Sequence, residues 1–348
     1  MPTRKPMGFR LGPHGVEHGL ALAPMAGNTN LPYRRLCRKF GAEWTTTEMV
    51  SSKALAHGDE KSLTLLTRGA DEVPIAAQVF GSDPEILHRA AEEIERRGFH
   101  AVDLNLGCPV PKITGGGGGS SLLRDPDLAA RCVAAMVAGC TLPVTAKIRA
   151  GWDEPAKQKT PKLAKQLEDA GAQVLTVHGR TREQKYSGIA DLELIAEVVA
   201  AVDIPVLGNG DVVDLASAKK MLSTGVSGLA IGRGALGRPW LFAEILADLK
   251  GQTPPPPPSP EQRMELLLEL GEGVSEIQGE HTGMRIMRRL AADFFRDFPG
   301  AAEFRRRCTQ LSTLEDLHKL AAPRQQFEQK TSSLRMKSSP KFEKESKL

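Results

Sequence analysis

The chain has 348 residues, of which 41% are hydrophobic, and this length favours one large domain and a smaller one. Only 5% of the residues are aromatic, which argues against a protein that stacks many nucleic-acid bases at once. The formal charge is a mild +4, and the segment 324–348 alone carries a net +4, because seven basic residues outnumber three acidic ones there. A basic surface elsewhere therefore requires the folded chain to separate its charges.

The five cysteines include no C-x-x-C pair and no spacing typical of metal ligands. Their odd number fits a reducing compartment and argues against a disulfide scaffold or a zinc site. Residues 1–19 lack the apolar run of a signal peptide, and no stretch approaches the roughly 20 apolar residues of a membrane span. We therefore expect a cytoplasmic protein that binds neither a metal ion nor a membrane.

Eight short apolar segments alternate with helix-length segments over residues 1–250. The predicted strands are residues 20–23, 42–46, 75–80, 101–106, 144–148, 174–177, 206–207 and 228–231. Asp83-Pro84 and Asp125-Pro126 are typical helix starts. Eight units of this regularity predict an α/β fold of the closed parallel (β/α)8, or TIM, barrel type. A doubly wound open sheet is the alternative, but it does not normally use eight such regular units.

The organisation changes after residue 250. Five consecutive prolines at residues 254–258 cannot continue a helix or a sheet, so residues 251–260 are predicted to form a stiff linker. Residues 261–323 are predicted to form a small helical domain, with a break at Pro299-Gly300. Residues 324–348, rich in Lys, Ser and Gln, are predicted to form a basic disordered tail.

The predicted strands end in residues suited to a functional site, and barrels of this kind place their active sites at that end. The turns after strands seven and eight are glycine-rich, which is typical of phosphate binding by backbone N–H groups, although either could be only a tight turn. A phosphorylated cofactor is the simplest interpretation. The strand-end residues are Pro24, Met25, Gln78, Asn105, Cys108, Lys147, Arg149, His178, Arg180, Asn209, Gly210, Asp211, Gly232 and Arg233.

Two of these side chains are difficult to explain as structural. Lys147 would place an ammonium group inside the barrel, which is costly without a partner, and a reduced flavin could supply the negative charge. Cys108 lies beside Pro109 at a strand end, whereas the other four cysteines suit the core as small apolar residues. The five glycines at residues 115–119 predict a mobile lid next to Cys108.

The motifs resemble those of the tRNA-dihydrouridine synthases, in the same order and over about residues 20–245. They are LAPMAG at 22–27, DLNLGCP at 103–109, KIR at 147–149, VHGRT at 177–181, GNGD at 208–211 and GRGALGRPW at 232–240. The Cys-Pro motif together with the downstream HGRTR is highly specific, whereas other FMN barrels share the glycine turns. Residues 283–289 and 298–301 are similar to the C-terminal tRNA-binding domain of the bacterial B-type branch.

The resemblance implies an enzyme that reduces the C5=C6 bond of D-loop uridines in tRNA. Tightly bound FMN would be reduced by transiently bound NADPH, and Cys108 would be the general acid that protonates C5. The implied cofactor site consists of Pro24, Met25, Gln78, Lys147, His178, Asn209, Gly210, Asp211, Gly232 and Arg233. The implied substrate contacts are Asn105, Arg149, Arg180, Tyr186, Arg285, Arg288 and Arg289. The expected partners are tRNA and NADPH, and the expected state is a monomer.

Two other functions compete with this interpretation. One is an FMN barrel that reduces a small molecule, such as a dihydroorotate or enoate oxidoreductase, and the basic helical domain argues against it. The other is a tRNA-binding chaperone that has lost catalysis. The presence together of Asn105, Cys108, Lys147 and His178 argues against that second function.

Overall fold

The computed structural model describes residues 7–296 and 301–321 of the chain. The strands are β1 (Phe9–Leu11), β2 (His14–Val16), β3 (Leu20–Leu22), β4 (Trp44–Thr46), β5 (Val50–Ser51), β6 (Ile75–Phe80), β7 (Ala101–Leu106), β8 (Val144–Arg149), β9 (Val174–His178), β10 (Val206–Asn209) and β11 (Gly228–Ile231). The predicted break at Pro299-Gly300 and the predicted tail at 324–348 lie outside the described residues.

The helices alternate with the strands and then continue beyond them. They are α1 (Leu31–Lys39), α2 (Ser52–Ala56), α3 (Glu60–Leu63), α4 (Pro84–Arg96), α5 (Pro111–Thr114), α6 (Pro126–Gly139), α7 (Thr160–Asp169), α8 (Leu192–Ala201), α9 (Leu215–Leu222), α10 (Leu241–Leu249), α11 (Pro260–Gln278), α12 (Glu280–Phe294), α13 (Ala301–Cys308) and α14 (Leu314–Ala321). Asp83 and Asp125 accept hydrogen bonds from the first-turn amides of α4 and α6, so both predicted helix starts are confirmed.

Eight parallel strands form the predicted closed barrel, in the order β3, β4, β6, β7, β8, β9, β10 and β11. The barrel closes because β11 pairs with β3, with Leu229 opposite Leu20. On the other side of β3, β4 pairs with β6. The short strand β5, which was not predicted, pairs only with the C-terminal end of β6. Helices cover the outside of the barrel, which explains why its strands are apolar along almost their whole length.

An antiparallel hairpin of β1 and β2, which the sequence analysis did not predict, closes the N-terminal end of the barrel. Its side chains Phe9, Leu11 and Val16 are buried in one apolar cluster with residues from the starts of the strands. The ring of Phe9 contacts the ring of Trp44 edge-on, with centroids 5.5 Å apart. Strands of three residues are too short to show a period in the sequence. Because the hairpin covers this end, the described residues leave the opposite end of the barrel open to ligands.

Helices α11 to α14 pack against the barrel through an aromatic contact. Trp240 lies between Phe40 and Phe294, with ring centroids 6.4 and 6.1 Å away, and the guanidinium of Arg263 lies 4.4 Å from the centre of the indole. The buried apolar cluster continues from the barrel helices into α11 and α12 without a break. The segment 251–260 therefore connects two parts of one core, and the division into domains stays a prediction. None of the described helices is long and apolar enough to cross a membrane.

A buried ion pair fixes α1 to the loop before β6. Arg34 donates from Nε and Nη2 to the two carboxylate oxygens of Glu72, at 2.8 Å each, and both side chains are almost completely buried. Arg34 also donates to the carbonyls of Thr29 and Thr67, while Glu72 accepts from the amide of Gly69. Removal of either charge would leave the other one buried without a partner.

We predict that Glu72→Gln lowers the free energy of unfolding by about 3–5 kcal/mol, because it leaves the guanidinium of Arg34 buried and unpaired. The neighbouring Asp71 pairs with Arg35 at the surface, where both side chains are at least half exposed, so Asp71→Asn is a matched control and should cost about 0–1 kcal/mol. Denaturant unfolding of the two variants checks this prediction. Equal losses for the two variants would contradict it.

Candidate active site

A cavity of about 790 Å³ opens at the C-terminal ends of the barrel strands, and this size suits a cofactor together with part of a substrate. All the predicted site residues line it except Arg180, Arg285 and Arg288. The helical part of the chain contributes Arg289 and Arg296 to its rim. The sequence analysis thus identified most of the wall of this cavity.

Lys147 extends from β8 into the cavity. Its Nζ donates to Oδ1 of Asn209 at 3.0 Å, and the amide of Asn209 is held in turn by donation to the carbonyl of Ala230. Burial lowers the pKa of Lys147 to about 7, and the charge of Arg149 contributes to this lowering, while Asp103 and Cys108 act in the opposite direction. A neutral amide is a weak partner for an ammonium group, so the site favours an anionic ligand near Lys147.

His178, at the end of β9, is buried and lines the cavity. Its Nε2 has no hydrogen-bond partner among the described residues. Burial lowers the pKa of His178 strongly, and the positive charges of Lys147, Arg149, Arg180 and Arg233 add to this effect. The imidazole is therefore neutral at physiological pH. A buried polar atom without a partner is unusual in a native protein, and a ligand in the cavity would provide one.

The two glycine turns after β10 and β11 pack against each other. A Cβ on Gly234 would lie only 2.0 Å from the carbonyl oxygen of Val212, so only glycine fits there. Gly210 has a φ of +119°, which disfavours a side chain. A Cβ on Gly232, in contrast, would lie 3.6 Å from Sδ of Met25 on the cavity wall. The turns are thus brought to one side of the cavity, as a shared phosphate site would require.

Arg180 and Asp211 are paired with each other. The guanidinium of Arg180 donates to both carboxylate oxygens of Asp211 at 2.8 Å, and it also donates to the carbonyls of Ser187 and Gly188. Arg180 is buried and does not line the cavity. Arg180 thus supports the loop that carries Tyr186, and its contact with substrate stays a prediction. Asp211 lines the cavity, but its carboxylate is largely occupied by Arg180.

Tyr186 stands at the mouth of the cavity between two guanidinium groups. It is 57% exposed, and its ring centre lies 5.6 Å from Cζ of Arg149 and 4.5 Å from Cζ of Arg233. Arg149 is buried and donates through Nε to the carbonyl of Gly107 at 2.7 Å, which ties β8 to the Cys108 loop. An exposed ring flanked by cations offers a surface on which a base can stack next to its phosphate.

Cys108 lies in a loop whose backbone is held on both sides. Its amide donates to Oδ1 of Asn105 at 2.8 Å, and its carbonyl accepts from the amide and the hydroxyl of Ser120. Burial raises the pKa of the Cys108 thiol above its usual value, so the thiol is protonated at neutral pH. The glycine run 115–119 forms hydrogen-bonded turns that lead back to this loop, and its mobility stays a prediction. Of the other cysteines, Cys140 is half-buried and the remaining three are buried.

The arginines on α12 and just after it lie in two environments. Arg289 donates to the carbonyl of Gly27 at 2.9 Å and to Oδ1 of Asn28, and Arg296 pairs with Asp293 at the rim. Arg285 is exposed but does not line the cavity. The Nε of Arg288 instead donates to the carbonyl of Leu311, within the helical part of the chain. Arg289 and Arg296 therefore reach the cavity, whereas Arg288 stabilises the helical packing.

Two residues that bear on this site, Asp103 and Met49, were not predicted from the sequence. Asp103 is buried below the cavity, where its carboxylate accepts from Gln78 and Thr145. A charged residue in the fully buried strand β7 was a signal that could have identified it. Met49 lines the cavity next to Asn105, and nothing in its sequence context indicates this role.

Comparison with known proteins identifies the family. A family model described as "Dihydrouridine synthase (Dus)" matches residues 21–332. The chain is 41% identical over 320 residues to "tRNA-dihydrouridine synthase B" of Pseudomonas aeruginosa, covering 91% of this chain and 95% of that protein. It is 40% identical over 299 residues to "Probable tRNA-dihydrouridine synthase" of Rickettsia bellii, covering 85% of this chain and 91% of that protein.

A similar solved structure is that of morphinone reductase, with a TM-score of 0.50 over 75% of this chain and 94% of that chain. The sequence identity is 15%, so this likeness shows the barrel fold alone. The family model, in contrast, spans the barrel and the described C-terminal helices. The chain belongs to the dihydrouridine synthase family.

Proposed function

We propose that this protein is a flavin-dependent oxidoreductase that reduces the C5=C6 bond of uridines in the D-loop of tRNA. The observation that carries the proposal is the convergence of Cys108, Lys147 and the unpaired His178 on one cavity, in a chain of the dihydrouridine synthase family. Its similar bacterial relatives carry names that state the same activity on tRNA. Because tRNA is the substrate, we further propose that the protein acts in the cytoplasm, as a monomer.

The residues of the cavity fit FMN as the cofactor. The free Nε2 of His178 and the ammonium of Lys147 both lack a strong partner, and an anionic cofactor would provide one. Lys147 and Gln78 would hold the ring, while the turns that contain Gly210 and Gly232 would hold the phosphate. When bound and reduced by NADPH, the flavin supplies a hydride for C6 of uracil. The G-x-G-x-x-G run at residues 232–237 follows β11, but it belongs to the turn proposed for the flavin phosphate, so NADPH itself would bind only transiently.

Cys108 would supply the proton. Hydride addition at C6 leaves negative charge at C5 and O4 of the uracil, and an acid must protonate C5 to complete the reaction. The raised pKa keeps the Cys108 thiol protonated at neutral pH. Asn105 and Ser120 hold the loop backbone, which keeps the thiol at the cavity.

The uridine would enter as a flipped nucleotide, because a base within a folded tRNA cannot reach the floor of the cavity. Asn105 and Arg149 would contact the base, and Tyr186 offers a ring for stacking. The cationic rim formed by Arg289 and Arg296, together with Arg285 on the exposed side of α12, would contact phosphates. Arg180 and Arg288 would contribute by holding the neighbouring backbone.

Reoxidation of the reduced enzyme distinguishes this proposal from the two alternatives. We expect purified protein to be yellow, and its NADPH-reduced flavin to be reoxidised under anaerobic conditions by unmodified tRNA but not by free uridine. Reoxidation by small pyrimidines or enones would favour a small-molecule reductase. A colourless protein that binds tRNA would favour a chaperone.

We predict that Cys108→Ala slows reoxidation by tRNA by about 10²- to 10⁴-fold, the usual effect of losing a general acid. Flavin content and NADPH oxidation should not change. The contribution of the thiol to the rate of the parent enzyme should be constant at neutral pH and should be lost as the pH rises through the raised pKa of the thiol, because only the protonated form donates. Cys140→Ala, a half-buried cysteine outside the cavity, is the control. A parental rate for Cys108→Ala would assign the proton to another group.

We predict that Lys147→Met leaves the fold intact but lowers the ratio of flavin to protein after gel filtration. The reason is that the variant removes the cation that an anionic cofactor would pair with. The absorbance spectrum of the purified protein measures this ratio. Lys112→Met, an exposed lysine outside the cavity, should retain the parental flavin content. If the Lys147 variant kept its flavin as well as the control does, Lys147 would have no part in holding it.

We predict that replacing both Arg285 and Arg289 by Ala weakens tRNA binding and lowers the slope of log K against log salt by about 1 per lost phosphate contact. Binding titrations at several salt concentrations provide the slope. Arg96→Ala, an exposed arginine on the barrel helix α4, removes a charge elsewhere and should not change it. An unchanged slope for the double variant would mean that tRNA binds a different face.

A further inference from the structure

A chain of hydrogen bonds runs below the cavity from β8 to the Cys108 loop. Thr145 Oγ1 donates to Oδ1 of Asp103 at 2.6 Å, and Gln78 Nε2 donates to Oδ2 of the same carboxylate at 2.7 Å. Asn105 Nδ2 donates to Oε1 of Gln78 at 2.8 Å. Asn105 Oδ1 then accepts from the amides of Gly107 and Cys108, at 3.1 and 2.8 Å.

The direction of this chain follows from its two ends. A backbone N–H can only donate, so the amides of Gly107 and Cys108 require the oxygen of Asn105 to face them. The NH₂ group of Asn105 must then face Gln78, and Gln78 must present its oxygen. The NH₂ group of Gln78 consequently faces Asp103. An ionised carboxylate can only accept, so Asp103 fixes the Gln78 end of the chain, just as the two backbone amides fix the Asn105 end.

The orientation of these amides matters for the chemistry of the site. Gln78 and Asn105 both line the cavity, and each NH₂ group uses one of its two N–H bonds within the chain. In the observed orientation the second N–H of Gln78 remains a donor for a ligand, while that of Asn105 faces Sδ of Met49 at 3.5 Å, a weak acceptor that a ligand could replace. If Gln78 turned over, its oxygen would face the carboxylate of Asp103, and Asn105 would lose its acceptor. If Asn105 turned over in response, its NH₂ group would face the amide of Cys108, and this amide would lose its acceptor.

We infer that Asp103 is a positioning residue, which fixes the donor and acceptor orientation of Gln78 and Asn105 and through them the loop of Cys108. Asp103 does not line the main cavity and therefore does not touch a ligand there. The inference rests on the role of Cys108 in the proposed function, but the orientation of the chain can be tested independently of that function. Burial raises the pKa of Asp103, while its donors Gln78 and Thr145 and the charge of Lys147 lower it.

The test begins with Asp103→Asn, which keeps the shape of the side chain but allows it to present either an oxygen or an NH₂ group to Gln78. We expect alkylation of Cys108 by iodoacetamide, measured by mass spectrometry of its peptide in the oxidised holoenzyme, to become about fivefold faster. This is about the factor that one net hydrogen bond contributes to closure of a loop. At saturating tRNA, reoxidation should slow by up to about 10²-fold through misplacement of the acid, with little change in the Kd for tRNA.

Two further variants separate orientation from burial. Thr145→Val removes the other donor to Asp103 at the same depth but leaves the chain of hydrogen bonds from Asp103 to Cys108 intact. The alkylation rate of this variant should therefore stay within about twofold of the parental rate, which is well below the effect of a lost hydrogen bond. The second variant, called the exchanged protein, carries Asp103→Asn and Gln78→Glu together. It restores an acceptor for Asn105, because a carboxylate at position 78 can accept from both neighbours. The alkylation rate of the exchanged protein should return towards that of the parent.

The outcomes are distinct. Faster alkylation in Asp103→Asn, with recovery in the exchanged protein, supports the inference. A parental alkylation rate in Asp103→Asn overturns it, as does an equal effect of Thr145→Val, which would indicate general loosening of the floor. If Asp103→Asn failed to fold, the inference would depend on the exchanged protein. An exchanged protein that folded and was alkylated at the slow, parental rate would support the inference. An exchanged protein that did not fold would overturn it. Absence of tRNA-driven reoxidation in the parent would instead reject the proposed function and leave the alkylation result valid.

Discussion

Closure of the parallel barrel between β11 and β3 is the constraint on which the site depends. In a closed parallel barrel, the C-terminal ends of all eight strands meet around one opening. Residues that are far apart in sequence, such as Met25, Gln78 and Gly232, therefore line one cavity. The hairpin of β1 and β2 seals the other end with Phe9 and its neighbours, so that the functional end is the only open one among the described residues.

The cavity concentrates positive charge in partly buried surroundings. Lys147, Arg149 and Arg233 line it, and Arg180 lies close enough to His178 to affect its pKa. Each cation lowers the affinity of its neighbours for protons, and burial strengthens this effect. Asp103 and Asp211 offset part of the charge, the first from below and the second through Arg180. The remaining excess explains why the site is suited to an anionic cofactor and to a nucleic-acid substrate.

The helical part of the chain is attached at the rim of this same cavity. Trp240, which follows the glycine turn of β11, packs between residues of the barrel and of α12. Arg289 reaches from α12 to the backbone of Gly27, in the loop that also presents Pro24 and Met25 to the cavity. The surface proposed for tRNA and the wall proposed for the flavin are therefore parts of one packed unit. The two surfaces share the loop after β3.

The sequence alone determined the barrel, its helix starts and most of the cavity wall. Alternation of apolar strands with capped helices is a local pattern, and residues at strand ends converge in any closed parallel barrel. Tertiary structure decided what local patterns do not contain: the hairpin that seals the barrel, the pairing of Arg180 with Asp211, and the division of the α12 arginines between the cavity and Leu311. It also revealed Asp103 as part of a hydrogen-bonded chain that leads to Cys108. A side chain's partner depends on which distant backbone passes beside it, and this is set only when the barrel closes.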